Sequence, residues 1–334
     1  MSGGLRSSVL IPSRRPELLK ACLESLAKQT VAADEVIVIL QGEAREPPVL
    51  PSSRPPVRYV RCETIGIVPA ENAGLGEATG DVILLVDDDA TAPPDWIERH
   101  LAHYADESVG AVGGPAVNYR PDGSPFPLHA VEPIGRLTWF GRTLGNMHDH
   151  PDAWRARPPL DVDHLVGYNM SLRRTAFDRF EEGLRPYWQL FELDACLQVR
   201  RRGLRVLFDF ANVVEHRPSN PAYAGGREGD PETKIYNAAF NRAFVLAKHS
   251  RWYLRIPRLM YLLAVGSVST PGLLGFAVSV RRYGKPLREA GIVKRTIGAH
   301  LSGWVAGRRT VGAGPPTPPS ISDIQRPASS AQGP

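Results

Sequence analysis

The chain has 334 residues, 43% hydrophobic and 22% charged, which argues for a globular protein with room for one large α/β domain and an appendage, or two smaller domains. Forty Lys and Arg against 35 Asp and Glu leave a net charge of +5; this suits an anionic substrate or membrane surface, and without zinc-finger spacing or an RNA-binding aromatic motif no nucleic acid is indicated. Three cysteines without a C-x-x-C suggest neither a disulfide framework nor a zinc site, and residues 1–6 lack the apolar core of a signal peptide, so a reducing cytosol is expected.

The first 115 residues alternate strand and helix signals. Residues 8–11 read as a short buried strand that stops at Pro12. Leu19, Cys22, Leu23 and Leu26 then recur at helical spacing. Residues 35–40 (EVIVIL) form a second strand, 57–60 a weaker third, 69–78 a helix, and 82–86 a fourth strand. Pro94 opens a helix through Tyr104, and 109–112 is strand-like before a Gly113-Gly114-Pro115 stop. Such alternation implies a mostly parallel sheet, with its ligand crevice at the carboxyl ends of the strands. Pro12, Gln41 and the acids Asp87, Asp88 and Asp89 all fall at such ends.

The acid triplet is the sharpest chemical signal. Three carboxylates leaving a buried strand repel one another and lose hydration, so their presence needs a reason. A divalent cation supplies one, because hard cations take carboxylate and phosphate oxygens together. On extended chain Asp87 and Asp89 point to one side and Asp88 to the other. An acidic turn after a strand is the plainer account of the same residues.

Residues 116–165, rich in Pro, Gly, His and Trp, read as irregular loops. His148-Asp149-His150 has ligand chemistry but no evident partner. Residues 167–171 lead into an Arg173-Arg174 turn and a short helix. Residues 191–202 are helical with Gly203 as C-cap, 205–208 is a strand, and His216 follows a further one.

The C-terminal third changes character. Residues 259–280 hold no charge, are interrupted by Pro271-Gly272 and are flanked by arginines on both sides. A hairpin dipping into one leaflet satisfies the length and the basic flanks; a spanning helix and a buried pair in a soluble protein are the alternatives. Ala290, Val293, Ile297, Leu301 and Trp304 then make an apolar stripe suited to a membrane surface or to packing on the main domain. Residues 312–334 read as a disordered tail. The expected division is a domain over 1–250, a helical membrane-associated region over 251–311, and that tail.

The stretches S-V-L-I-P-S-R-R-P-E-L-L, E-N-A-G-L-G-E-A-T-G-D-V-I-L-L-V-D-D-D, V-G-Y-N-M-S-L-R-R and F-E-L-D-A-C-L-Q-V-R-R-R-G-L-R-V-L-F-D, with V-V-E-H after them, follow one another in an order that resembles a bacterial family 2 glycosyltransferase. The similarity covers roughly residues 7–250. It implies a GT-A-type mostly parallel sheet flanked by helices, here with a C-terminal helical appendage. It also implies inverting transfer of a sugar from a nucleoside diphosphate to an acceptor hydroxyl. By that resemblance Asp87, Asp89 and His216 hold Mg²⁺ or Mn²⁺. Pro12, Arg14, Gln41, Asn72, Asp87 and Asp88 lie along the nucleotide sugar, Asp87 or Asp88 at its ribose. Glu192 falls on the position of the base, with Asp194 the next candidate. Trp188 and Asn169 go to the acceptor side. Three positions depart from the family pattern: Gln41 where an aspartate is usual, Glu71 where arginine often precedes Asn72, and Gln198 where arginine follows the acidic helix start.

The expected protein is thus a metal-dependent transferase on the cytoplasmic face of the cell membrane, acting on a glycan or lipid-linked acceptor in cell-surface glycan synthesis. Two other readings remain. A sugar nucleotidyltransferase shares the sheet and carboxylates but normally has a glycine-rich loop where this chain has Pro12-Ser13-Arg14-Arg15-Pro16. A catalytically silent binding or scaffold protein would keep only the fold.

Overall fold

The computed structural model describes residues 4–44, 55–120, 122–145, 147–186, 190–217, 230–267, 270–276, 280–281 and 286–311. In chain order the elements are β1 (Ser7–Ser13), α1 (Leu19–Leu26), β2 (Glu35–Gln41), β3 (Val57–Cys62), α2 (Ile67–Glu77), β4 (Val82–Leu85), β5 (Ala90–Thr91), α3 (Trp96–His103), β6 (Val109–Gly113) and β7 (Ala116–Asn118). They continue with β8 (Arg136–Leu137), β9 (Thr143–Leu144), β10 (Leu160–Asp161), β11 (Met170–Arg173), α4 (Phe191–Arg201), β12 (Arg205–Phe208), β13 (Val214–His216), α5 (Pro231–His249), α6 (Trp252–Ala264) and a final helix, here α7 (Pro286–Thr310).

Eight strands make one sheet in the order β10-β12-β6-β11-β4-β1-β2-β3. It is mostly parallel, as expected; β11 runs antiparallel to both its neighbours and β10 antiparallel to β12. Alternation along the strands divides the core into two layers. Leu10, Ile37, Ile39, Ile83 and Leu85 pack with Val68 of α2, Val199 of α4 and Phe244 of α5. Val9, Ile11, Val36, Val38 and Leu84 pack with Leu19 and Leu23 of α1 and Ile97 of α3. Both faces of the central strands are therefore dry, which is why they read as unbroken apolar runs.

Two local expectations change. Pro12 does not end β1, because it pairs with Ile39 of β2 while the pairing to β4 has already stopped at Leu10. A proline is tolerated where the ladder on one side is over. Residues 170–173, expected to run into a turn, are instead a central strand inserted between β4 and β6. Four residues with Ser171 among them carry little strand signal; the slot between two buried strands supplies the order.

The C-terminal stripe is also reassigned. In α7 the buried residues include Glu289, Ile292, Val293, Thr296, Ala299, His300 and Trp304; of the predicted stripe Val293 and Trp304 are buried, Ile297 is half-buried, and Ala290 and Leu301 are exposed. A Cβ on Gly303 or Gly307 would meet the Phe240 or Phe244 carbonyl, so α7 lies close against α5 along a small-residue track. This helix packs on the domain through part of that stripe, the second of the two expected settings, with Ala290 and Leu301 left open. Helix α6 stops at Ala264, and the chain turns back so that Leu273 and Leu274 N–H donate to the Leu263 and Ala264 carbonyls. Among the described residues no helix is long and apolar enough to cross a membrane. The expected tail lies outside the described residues.

Candidate active site at the carboxyl end of the sheet

Strand β4 ends at Leu85, and Asp87, Asp88 and Asp89 follow as the chain turns into β5. The three-stranded sheet β5-β13-β7 closes this corner, with His216 of β13 opposite Ala90 on one side and Asn118 on the other. That pairing sets His216 Nε2 3.1 Å from Asp89 Oδ1 and 3.7 Å from Asp87 Oδ2. One ligand atom from each of Asp87, Asp89 and His216 lies within 4.8 Å of the others. The carboxylates converge as the alternation predicts, although Asp88 and Asp89 lie in a turn and not on extended chain.

The histidine is held in one tautomer. Asp149 accepts from the Asn118 backbone and side-chain N–H groups, which leaves Asn118 Oδ1 as an acceptor for His216 Nδ1–H at 2.9 Å. His216 Nε2 then faces the acids, and an unprotonated nitrogen beside carboxylate oxygens needs a proton or a cation between them. Two neighbouring ligands of an octahedral ion with ~2.1 Å bonds stand ~3 Å apart, close to the 3.1 Å between His216 Nε2 and Asp89 Oδ1. Two hard carboxylates and an oriented imidazole fit a divalent cation of the Mg²⁺ or Mn²⁺ kind. Tyr168 stacks on the His216 ring at 4.7 Å, and its hydroxyl meets His148. Burial keeps His148 down at about 4. His148 and Asp149 thus brace His216 through Tyr168 and Asn118, while His150 packs among Trp154, Phe208 and Phe210.

Asp88 turns the other way. Its oxygens accept from Ser13 Oγ and Arg15 Nη2, both at 2.7 Å, and Arg15 also reaches Asp89 Oδ2 at 3.0 Å. Asp88, expected at the ribose, is therefore an internal anchor, buried with both oxygens engaged. Arg15, and not Arg14, is the guanidinium at the acids; Arg14 is half-buried just beyond β1. Arg15 leaves Asp87 and the Asp89 oxygen facing His216. Asp87 keeps 37% of its side-chain surface open. Loss of hydration and then Asp89 push Asp87 up to about 7. Loss of hydration lifts Asp88 to about 6 against the pull of Arg15, whereas for Asp89 the same cost is outweighed by His216 and Arg15, which hold it below the usual range.

Glu192 stands at the first turn of α4, whose N-cap Leu190 adopts φ 54°. Its carboxylate lies against Gly167, where a Cβ would come within 3.3 Å of Oε1. Burial lifts Glu192 to about 7 despite backbone N–H bonds, and the charge of Asp87 adds to the rise. Asp194, two residues on, is different. It is fully buried and takes hydrogen bonds from His249 at 2.8 Å, Gln198 at 2.8 Å and Lys248 at 3.0 Å. Burial opposes its charge, but His249 and Lys248 hold it at about 2. An ion so compensated is a fastening between α4 and α5, which corrects its place as a candidate base. Gln198, the departure noted in the sequence, serves the same network.

Other expected residues are placed elsewhere. Asn169 has no exposed surface; its amide joins Trp96 Nε1 to the Pro115 and Asn212 carbonyls, so it cannot face an acceptor. Asn72 brackets Phe180 with both ends of its amide and also donates to Glu182. Gln41 is buried, and its carbonyl oxygen accepts from Gly66 N–H, tying β2 to the start of α2. Pro12 lies in β1, one residue before Ser13. Trp188 lies outside the described residues. Glu71, by contrast, is more than the loss of an arginine: it is buried on α2 with Oε2 unpartnered, and burial, then Asp87 and Glu192, hold it well above the ordinary carboxyl value.

The family description "Glycosyl transferase family 2" matches residues 8–180, which reach from β1 past the acid triplet and β11. Among curated proteins the chain is 31% identical over 138 residues to the amylovoran biosynthesis glycosyltransferase AmsE of Erwinia amylovora, covering 39% of this chain and 50% of that one. The chain spans half or less of the length of the curated relatives it matches first. Among solved structures it resembles S. aureus TarS 1-349 in complex with UDP-GlcNAc, with a TM-score of 0.53 at 14% identity over 92% of this chain and 90% of that one. GalNAc-T7 with UDP, GalNAc and Mn²⁺ gives a TM-score of 0.50 at 16% identity, over 77% of this chain and 54% of that one. These likenesses show the GT-A fold. With that fold, an acid corner at the end of β4, and a family match that covers more than half of the sequence, the chain belongs to glycosyl transferase family 2.

Proposed function

We propose that this protein transfers a sugar, with inversion, from a nucleoside diphosphate to an acceptor hydroxyl, using a divalent cation at Asp87, Asp89 and His216. The observation that carries the reading is two unlike carboxyl sites close enough that the charge of one, Asp87, acts on the other, Glu192. One is the acid corner, braced by Arg15 and Asn118; the other is Glu192, lifted close to neutral pH. A general base works best when its pKa lies near the working pH. Glu192 takes the proton from the acceptor oxygen as that oxygen bonds to the anomeric carbon. The anomeric bond to the diphosphate breaks on the opposite face, its electron pair leaving with the phosphate. A cation bound at the corner supplies charge stabilisation to that leaving group. Arg15 adds a fixed positive charge and keeps Asp88 and Asp89 oriented. GalNAc-T7, crystallised with Mn²⁺ and UDP, and TarS, crystallised with UDP-GlcNAc, support the donor class and the metal. The acceptor is a glycan or lipid-linked hydroxyl of cell-surface glycan synthesis, met at the cytoplasmic face of the cell membrane.

Thermal-shift titration with a panel of nucleoside diphosphates, with and without Mn²⁺, tests the site, followed by turnover of the matching nucleotide sugars. A ligand that binds only the native state at a hundred times its Kd stabilises it by about 2.7 kcal/mol. Metal-dependent stabilisation by one nucleotide is expected, and Asp89→Asn should remove both it and transfer. An Asp89→Asn protein with full turnover in Mn²⁺ refutes the assignment.

A further inference from the structure

Helix α6 is amphipathic in an inverted sense. Its inner face carries Leu254, Arg258 and Leu262, all buried, with Arg258 donating to the Trp139 carbonyl and to Ser250 Oγ. Its outer face repeats Trp252, Ile256 and Met260 at one-turn spacing, with 78%, 73% and 58% of their surface open. A surface helix normally puts charge there. Where α6 ends, the returning chain adds Leu273 and Leu274, 62% and 68% exposed, beside its last turn. Phe140, itself exposed, stacks on Tyr261 of α6 at 5.2 Å. Exposed apolar residues grouped in this way mark an interaction site, and single ones do not.

The charge around the stripe names its partner. Residues 251–311 hold eleven Lys and Arg and one acid, Glu289, while residues 1–250 hold 28 basic and 33 acidic side chains. The positive excess of the whole chain thus belongs to this segment. Arg251 begins α6, Arg255 lies within it, and Arg251, Arg281 and Arg288 are exposed. Apolar tips on a helix that starts at Arg251, Trp252 and Tyr253, within a strongly basic segment, are complementary to acyl chains beneath anionic headgroups.

We propose that the outer face of α6, with Leu273 and Leu274, docks this protein on an anionic bilayer surface. The helix lies in the headgroup plane without crossing. This deepens the reading of an enzyme at the membrane face and rests on it. It also relocates the contact from the α7 stripe, which packs on α5, to a face the fold leaves open.

The test is co-sedimentation of the full chain with phosphatidylcholine vesicles, with and without 30% phosphatidylglycerol. Parental protein should sediment with the anionic vesicles, bind the neutral ones weakly, and come off as salt rises. Ile256→Asp with Met260→Asp should weaken binding by at least about tenfold, since each side chain forfeits the burial of its apolar surface. Both sites are exposed, so thermal melts should match the parent. Asp89→Asn should bind vesicles like the parent, which separates failure of docking from failure of the catalytic reading. The proposal is overturned if the double variant binds as tightly as the parent, or if anionic vesicles do not retain the parent. It is equally overturned if the stripe instead joins two copies, seen as a vesicle-free dimer that the double variant dissociates.

Discussion

Glu192→Gln separates the catalytic demand on this side chain from its structural cost. Losing a general base slows turnover by roughly 10²–10⁴, or about 2.7–5.5 kcal/mol of transition-state stabilisation. Stability should move the other way. The folded carboxyl sits at about 7 against an ordinary 4.5, chiefly through burial, so folding opposes its ionisation. The sign follows: with a raised folded value, the penalty is absent below pH 4.5, grows through the interval, and is complete above 7. At about 1.4 kcal/mol per pH unit, carrying the charge at pH 8 costs at most about 3.5 kcal/mol, lowered by the water that still reaches the side chain. The neutral glutamine, which can still accept the Gly167 N–H, removes that cost. Urea unfolding at pH 8 and pH 4.5, beside kcat measured with saturating donor, reads both effects. A variant that is nearly inactive, more stable than the parent at pH 8 and equal to it at pH 4.5 is expected. Parental kcat, or a loss of stability at pH 8, refutes the reasoning.

Asp194→Asn should do the converse, costing about 3–5 kcal/mol by leaving Lys248 and His249 poorly compensated while folded molecules keep their kcat. The Asp194 contribution in the parent is fully present above about pH 4 and fades as pH falls toward 2, because its folded value is depressed; acid titration of the two proteins followed by circular dichroism reads this. Asn118→Ala should raise the Mn²⁺ concentration for half-maximal thermal stabilisation by about 10–100-fold, since His216 loses the acceptor that orients it; an unchanged midpoint removes Asn118 from the site. Gly307→Val drives a side chain into the Phe244 carbonyl and should cost about 1–3 kcal/mol in denaturant unfolding, with α7 loosened from α5.

The parallel strands, the flanking helices of the first hundred residues and the acid triplet were legible because each is local. Apolar runs bounded by Pro and Gly announce buried strands, and three consecutive acids at a strand end announce an unmet electrostatic need. His216 was legible only through the order of motifs, since nothing near it in the chain shows what it faces. Asn169, Asn72, Gln41 and Asp88 are polar residues in motif stretches that here bond to the protein, and which partner such a residue meets depends on neighbours distant in sequence. The stripe of α7 and the bare face of α6 are alike in pattern; only the docking of α7 on α5 decides which is covered.

By itself, then, the sequence determined which residue types stand at the strand ends, because strand alternation and burial act within a few residues. Only the tertiary structure decided which of two neighbouring acids is free. Glu192 and Asp194 are two positions apart on one helix start, yet one lies against Gly167 and the other meets Lys248 and His249 of α5. Ionisation is set by what surrounds a carboxylate in space, and for Asp194 the two cations that hold its charge come from more than fifty positions away.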